Sequence, residues 1–264
     1  MTTVLLVDLG VVMVAMLATA VWARRARRFA VIDAAWGATY VLIALAGALV
    51  ARDGDGLRRW VVTAMVAVWG LRLARHLLVR VNGSGHDDPR YEEMLGGGFE
   101  EVPFSRVVAK VFVLQGVTIL LVAAPLVVGQ TSATRWPWAI PAGVALWLVG
   151  VVFESVGDAQ LAAYRRDPGR GPILDTGLWA WTRHPNYFGD ACVWWGVWLA
   201  GAVAAGPVPA GATVWAPVVM TWLLTVVSGA RLTERRMPGR PGWAEYAART
   251  PMFLPRPPQA RRAR

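Results

Sequence analysis

The chain alternates between long apolar runs and shorter polar connections rich in arginine. Runs over residues 4–22, 31–50, 60–79, 107–128, 138–153, 187–205 and 210–230 approach the ~20 residues needed to cross roughly 30 Å of hydrocarbon. The pattern predicts an all-α polytopic membrane protein with seven transmembrane helices. The fifth run is short, and is expected either to lie tilted or to begin nearer Trp136. Pro125, Pro141 and Pro217 are expected near helix ends or kinks, because proline removes a backbone donor and clashes with the preceding turn. The first run precedes a basic cluster and ends without a small-residue cleavage site, so it reads as a retained helix rather than a removed signal peptide.

Composition agrees with that pattern. Of 264 residues, 56% are hydrophobic and 17% charged, against about 25% charged in soluble domains. The formal charge of +10, from 27 basic and 17 acidic residues, would suggest nucleic acid in a soluble chain. No zinc-finger spacing or basic helix with a polar remainder is present, so no nucleic-acid partner is expected. Membrane topology accounts for the excess: Arg24, Arg25, Arg27 and Arg28 follow the first run, Arg80, Arg90 and Arg106 the third, and Arg165, Arg166, Arg170 and Arg183 the fifth. Arg52, Arg58 and Arg59 follow the second run, partly offset by Asp53 and Asp55, and only Arg135 follows the fourth. Basic residues near span ends favour the cytoplasm, which predicts the N-terminus outside and the C-terminus cytoplasmic. Trp22, Trp60, Trp136, Trp138 and Trp222 are candidate interfacial anchors. One membrane domain over residues 1–255 and a basic disordered tail over 256–264 are expected.

Chemistry concentrates in three polar patches. Glu154 and Asp158 stand four apart at the exit of the fifth run, which puts both carboxylates on one helical face. They repel unless a cation, an arginine or a ligand hydroxyl or amide intervenes; a solvated helix end paired with Arg165 or Arg166 is the structural alternative. The second patch runs from Arg170 to Asp190. Asp175 or Thr176 is expected to cap a short helix holding Trp179 and Trp181. Arg183 offers a planar fork suited to phosphate, and His184 titrates near neutrality. Pro185 opens the next helix, and Asn186, Tyr187 and Asp190 follow. Asn and Asp one turn apart at the start of a lipid-embedded helix need partners; an Arg–Asp clamp is the structural alternative. The third patch holds Arg231, Glu234, Arg235, Arg236 and Tyr246, with a turn at Pro238–Pro241 that returns the chain toward the membrane. Arg231 and Arg235 share a face, suited to an anionic ligand or to headgroups.

Two earlier features carry further candidates. Asp33, near the start of the second run, could pair with Arg72 of the third, either as a structural ion pair or as a site acid. Tyr91, in the segment from His86 to Tyr91, is a candidate proton donor or an interfacial packing group. Metal catalysis is disfavoured: no two of His76, His86 and His184 have ligand spacing on one helix. The single Cys192 excludes an internal disulfide and reads as a small buried hydrophobe. The serines lack a nucleophile elbow, and no dinucleotide fingerprint follows a strand.

The stretch Asp175-Thr-Gly-Leu-Trp179 with Arg183-His-Pro-Asn-Tyr-Phe-Gly-Asp190, the Ser228-Gly229 exit from the last run, and Gly242-Trp243-x-x-Tyr246 with 251–255 together resemble the DUF1295 family. That family is similar to steroid 5-alpha-reductases and the wider 3-oxo-5-alpha-steroid 4-dehydrogenase group. The similarity runs from about Asp33-x-x-Trp36-Gly37 to Pro255. It implies a seven-helix bacterial inner-membrane reductase, with its site at the cytoplasmic side, that uses NADPH to saturate a C=C bond conjugated to a carbonyl. It also implies that Glu154, Asp158, Arg170, Arg183, Asn186, Tyr187, Asp190, Arg235 and Tyr246 contact the cofactor. Steroid-reducing relatives carry a Gln-Glu pair on the second helix and a Tyr on the third; neither is present here. Asp33, Arg72 or Tyr91 is then the expected catalytic group, and a polyprenoid, sterol-like or fatty enone is as fitting a substrate as a steroid. The expected partners are that hydrophobic enone and membrane lipids, with no obligate protein partner. An S-adenosylmethionine-dependent isoprenylcysteine or phospholipid-type methyltransferase is the alternative, resembling the chain through its Arg-His-Pro-x-Tyr-x-Gly core and a C-terminal Glu-Arg pair. A non-catalytic membrane protein is the third reading.

Overall fold

A computed structural model describes residues 1–83, 87–227 and 229–258; among them every regular element is helical. Ser84, Gly85, His86, Ser228 and the expected basic tail from Gln259 onward lie outside the described residues. Six helices are long and apolar enough to cross a membrane: Thr2–Ala26, Val31–Val50, Gly56–Gly83, Phe104–Val122, Ala139–Arg166 and Pro207–Glu234. They mark the chain as an integral membrane protein. Their outward apolar side chains, such as Leu6, Val14 and Leu17 on the first helix, are exposed, as expected where the solvent is lipid.

The prolines fall where the sequence puts them. The helix from Phe104 stops at Val122, and a new one, Ala124–Thr131, starts with Pro125 in its first turn. Pro141 lies in the first turn of Ala139–Arg166 and Pro217 in that of Trp215–Trp222. Two boundaries differ from expectation. The fifth run, expected over 138–153, is a 28-residue helix, Ala139–Arg166. The helix does not stop at its first carboxylate, because Glu154 and Asp158 turn inward and are buried. The stretch expected over 187–205 is a 14-residue α-helix, Pro185–Trp198, that runs into a π turn, Leu199–Val203.

The chain forms two compact units, one of Met1–Ile140 with Val197–Ala216, the other of Pro141–Gly196 with Pro217–Arg264. In the first unit, Val31–Val50 and Gly56–Gly83 pack with backbones touching. A Cβ on Gly70 would lie 2.7 Å from the Gly37 carbonyl oxygen, and one on Gly37 would strike the Gly70 carbonyl. Where Ala124–Thr131 ends, its free carbonyls are taken by arginine. Arg58 is fully buried and donates to Gly129 (3.1 Å), Ala133 (3.2 Å) and Ser132. Arg59 reaches the Gln130 carbonyl at 3.1 Å. Cations suit the carboxyl end of a helix. Asp55 accepts from the Arg58 backbone N–H at 3.0 Å, and that bond holds its carboxyl below the ordinary range.

The second unit is built on a glycine seam. Gly143, Gly150 and Gly157 recur every seven residues on Ala139–Arg166, and Gly189 and Gly196 do so on Pro185–Trp198. A Cβ on Gly196 would lie 2.7 Å from the Gly143 oxygen, and one on Gly150 would be 2.7 Å from the Val193 nitrogen. At the far end, a Cβ on Gly157 meets the ring of Pro185 at 3.1 Å. The order of contacts, from 143 against 196 to 157 against 185, makes the pair antiparallel. Small residues permit this approach in a membrane, where helix association rests on packing rather than on the hydrophobic effect. Gly189→Ala should therefore lower thermal stability in detergent by about 1–3 kcal/mol, because its two nearest obstacles, the Glu154 nitrogen and the Gly150 oxygen at 2.5 Å, are backbone. Gly211→Ala, with open space at its Cβ, should be neutral or slightly stabilising. Equal melting temperatures for the two variants would contradict the seam.

Candidate functional site

The seam determines where the polar residues of the second unit meet. With the two backbones in contact, Glu154 and Asp158 on one helix lie buried, as does Asp190 on the other, each less than a tenth exposed. A Cβ on Gly189 would lie 2.9 Å from that of Glu154. Asn186 donates its amide to Asp158 Oδ1 at 3.1 Å, while its own carbonyl oxygen is buried and accepts nothing. One of the two carboxylates, Asp158, thus meets an amide of the chain itself. Half of that amide remains open to a donor, a feature that calls for explanation in a buried polar group.

A second set of contacts fastens the segment before Pro185 to the C-terminal region. Arg183 makes four hydrogen bonds: Nε and Nη2 to the two oxygens of Glu234 at 2.7 and 3.0 Å, and Nη1 to the carbonyls of Ala247 and Thr250 at 2.8 and 2.7 Å. Its guanidinium also sits 5.6 Å from the Trp243 ring centroid. Four of its five N–H donors are therefore spent within the protein. The clamp expected as a structural alternative exists, but its carboxylate is Glu234. His184 is buried, places Nε2 3.0 Å from the same Glu234 carboxylate, and stacks on Tyr187 with centroids 5.3 Å apart. Tyr246 is buried and donates its hydroxyl to the Trp179 carbonyl at 2.7 Å; Trp179 in turn donates to Gly157 at 3.1 Å. Burial raises the Tyr246 phenol well above its usual value. Thr182 reaches the carbonyls of Met252 and Phe253 at 3.2 and 2.9 Å, and the Arg256 N–H donates to Trp181 at 3.0 Å. The expected tail accordingly begins with a tied residue.

The cap expected from Asp175 or Thr176 is not formed. Gly177–Ala180 is a single 3₁₀ turn without a side-chain cap; Asp175 pairs with Arg249, and the Leu178 N–H bonds to Gln160 at 3.0 Å. Gly177 has φ 59°, which favours glycine over any residue with a Cβ. Arg170 is exposed, bonded to the Arg165 carbonyl at 2.6 Å and set over the Tyr164 ring. Arg235 is exposed on the residue after Glu234. A cavity of about 150 Å³, lined by Arg183, Arg249, Thr250 and Arg256, has room for a phosphate but falls short of the ~300 Å³ at which ligand pockets begin. Among the described residues no three His, Cys, Asp or Glu side chains gather to hold a metal ion.

The first unit holds the other expected group. Tyr91 donates its hydroxyl to Asp33 Oδ1 at 2.5 Å, and Arg90 bridges Asp33 at 3.1 Å and Asp88 at 2.8 Å. Arg72 is half-buried on Gly56–Gly83, and Asp33 pairs with Arg90. Asp87 caps the backbone N–H groups of Phe29 and Ala30. Burial would raise the Asp88 carboxyl, but Arg90 and Arg80 outweigh it and hold it below the ordinary range. Burial and the Asp33 charge both push the Tyr91 phenol well above its usual value.

The sequence placed His184 and Glu234 in separate polar patches without pairing them, and it did not single out Arg90 or the seam glycines as site-building residues. The seven-residue glycine spacing was the signal that could have found the seam. Nothing in a single sequence marks Glu234 over Arg235 beside it.

Glu234→Gln should free the C-terminal segment: a melting loss of about 2 kcal/mol with faster tryptic cleavage after Arg240 or Arg249, neither of which Arg235→Ala should cause. A second expectation concerns pH. The folded state holds the Tyr91 proton more tightly than the unfolded chain, whose phenol titrates near ~10. Stability is therefore intact below that value and falls as pH rises above it; Tyr91→Phe should flatten this alkaline loss in melts taken from pH 8 to 11.

The profile of a family described as "Protein of unknown function (DUF1295)" matches residues 19–250. The chain is also similar to the cobalt-zinc-cadmium resistance protein CzcN of Cupriavidus metallidurans, 28% identical over 143 residues, which cover 53% of this chain and 61% of that protein. No solved structure matches.

Proposed function

The chain belongs to the DUF1295 family, and we propose that it is a membrane-embedded reductase that uses NADPH to saturate a C=C bond conjugated to a carbonyl in a lipid-like substrate. The observation that carries this reading is the open, buried carbonyl oxygen of Asn186 beside Asp158. It is an acceptor in a polar seam, suited to the carboxamide N–H of a nicotinamide. Bound NADPH would supply a hydride to the β-carbon, the α-carbon taking a proton. Asp158 fixes the Asn186 amide so that its oxygen faces the ligand. Asp190 and Glu154, one turn from Asn186 and Asp158, suit ribose hydroxyls. Arg183 is committed to Glu234, so the phosphates fall to the exposed Arg170 and Arg235, and Arg183 acts by holding His184 and the start of Pro185–Trp198 in place. Tyr91, held by Asp33 in the first unit, keeps its proton at physiological pH and has the chemistry of a donor to a developing enolate oxygen.

In this reading seven spans cross a bacterial inner membrane, with the N-terminus outside and the arginine-rich ends in the cytoplasm. The metal-resistance name of the similar protein has no counterpart in a ligand cluster among the described residues.

Asn186→Ala should weaken NADPH binding about tenfold, close to 1.4 kcal/mol, with little change in the melting temperature. Titration calorimetry of both proteins in detergent measures it. Unchanged NADPH affinity would overturn the reading, and tight S-adenosylmethionine binding in place of NADPH would transfer the same seam to a methyltransferase.

A further inference from the structure

The first helix, Thr2–Ala26, carries one carboxylate among its apolar residues. Asp8 is 1% exposed, and both of its oxygens are buried without a hydrogen-bond partner. It occupies the inward face together with Val4, Val12 and Met16, so the carboxyl points into the protein and not into lipid.

A second unmet acceptor lies close by. Gln130 is fully buried; its Nε2 donates to the Ala44 carbonyl at 2.8 Å and to Thr63 Oγ1 at 3.0 Å, and its Oε1 accepts nothing. The amide cannot be turned around, because that would set its oxygen against the Ala44 carbonyl. The Gln130 oxygen and the Val4 side chain converge over Gly47: a Cβ placed there would meet both. Asp8 follows Val4 by four residues on the same face, a rise of about 6 Å. An acid with two unbonded oxygens thus stands one turn along its helix from Val4, beside which the unmet Gln130 carbonyl lies.

The charged groups of the packed elements do not serve Asp8. Arg24 and Arg25 lie at the far end of its own helix. On the helices packed against it, Asp33 opens Val31–Val50, and Arg106 and Lys110 lie at the start of Phe104–Val122. Since Gly116 meets Val12 and Met16, and Arg24 sits over Phe104, Arg106 and Lys110 are about 15 Å or more from Asp8 along the bundle. Ala124–Thr131 carries no charge. At the nearer end Arg52 and Asp53 are exposed, Asp55 is held by Arg58, and Arg58 is spent on three carbonyls.

We propose that Asp8 is an intramembrane proton-binding site, a carboxylic acid kept loaded inside the bundle with the carbonyl of Gln130 as the acceptor for its O–H. An unpaired carboxylate in a membrane interior is costly, and proton uptake is the response that needs no counter-ion. The proton also supplies the one donor this pair of acceptors lacks. The site is independent of the reductase reading, since no residue of the Asn186 seam takes part.

Infrared difference spectroscopy on the full chain in phosphatidylcholine bilayers tests the proposal. At neutral pH the wild type should show a protonated-carboxyl C=O band that is lost in Asp8→Asn and shifted but retained in Asp8→Glu. The band should persist at pH 8, far above the ~4 at which an ordinary aspartate ionises, and Gln130→Leu should shift it by removing the acceptor. A spectrum unchanged by Asp8→Asn, or a band that titrates away near pH 4, would overturn the site. A band indifferent to Gln130→Leu would overturn the pairing. Should Asp8→Asn fail to fold, the shift in Asp8→Glu carries the same decision.

Discussion

Backbone-to-backbone contact between Ala139–Arg166 and Pro185–Trp198 is the constraint from which the polar chemistry of the second unit follows. Glycines at 150, 189 and 196 bring the helices together until each would reject a single added carbon. At that separation the side chains on the touching faces have no outlet. Asp158 meets Asn186, and Glu154 and Asp190 are buried. A larger residue in the seam would open the interface and let lipid or water at the carboxylates. The same device recurs between Val31–Val50 and Gly56–Gly83, where Gly37 and Gly70 touch. In a bilayer, close approach replaces hydrophobic exclusion as the source of specificity.

Around the seam, one carboxylate organises the neighbouring segment. Glu234 receives both Arg183 and His184, while Arg183 uses its remaining reach to satisfy the carbonyls of Ala247, in Trp243–Arg249, and of Thr250 just after it. An arginine that the motif offers as an anion ligand thereby becomes part of the scaffold. Arg170 and Arg235 are exposed instead, and Arg170 spends one donor on the Arg165 carbonyl. Rigid support combined with a few unmet polar atoms is what preorganised recognition requires.

Much of the helical architecture was legible because apolar runs of span length have few alternatives, and because prolines 125, 141 and 217 punctuate them where helices must begin. The need of Asn186 for a partner was legible too, from its place at the start of a lipid-embedded helix, but not that the partner is Asp158. Other features were hidden for physical reasons. Hydropathy ended the fifth span at Glu154, since it registers charge and not the direction in which a side chain points. Asp8 passed unnoticed inside an apolar run for the converse reason: one carboxylate barely alters a window average, however deeply it is buried. The cap expected from Asp175 was lost to a tertiary competitor, Arg249, 74 residues away. Glu234 and Gln130 gain meaning only through distant partners.

The anchoring of Thr182 and Arg183 to the stretch from Ala247 to Phe253 bears on the order of biogenesis. A ribosome releases residue 183 long before residue 253, so the helix pair can insert and associate while its fastening strap is still unmade. During that interval the carboxylates of the seam have the contacts of the helix pair, the Asn186–Asp158 hydrogen bond among them, but not the strap. Maturation of the site is then a late event that waits on translation of the final strap, and a ribosome stalled beyond residue 234 would leave the helix pair inserted but its connection unlatched.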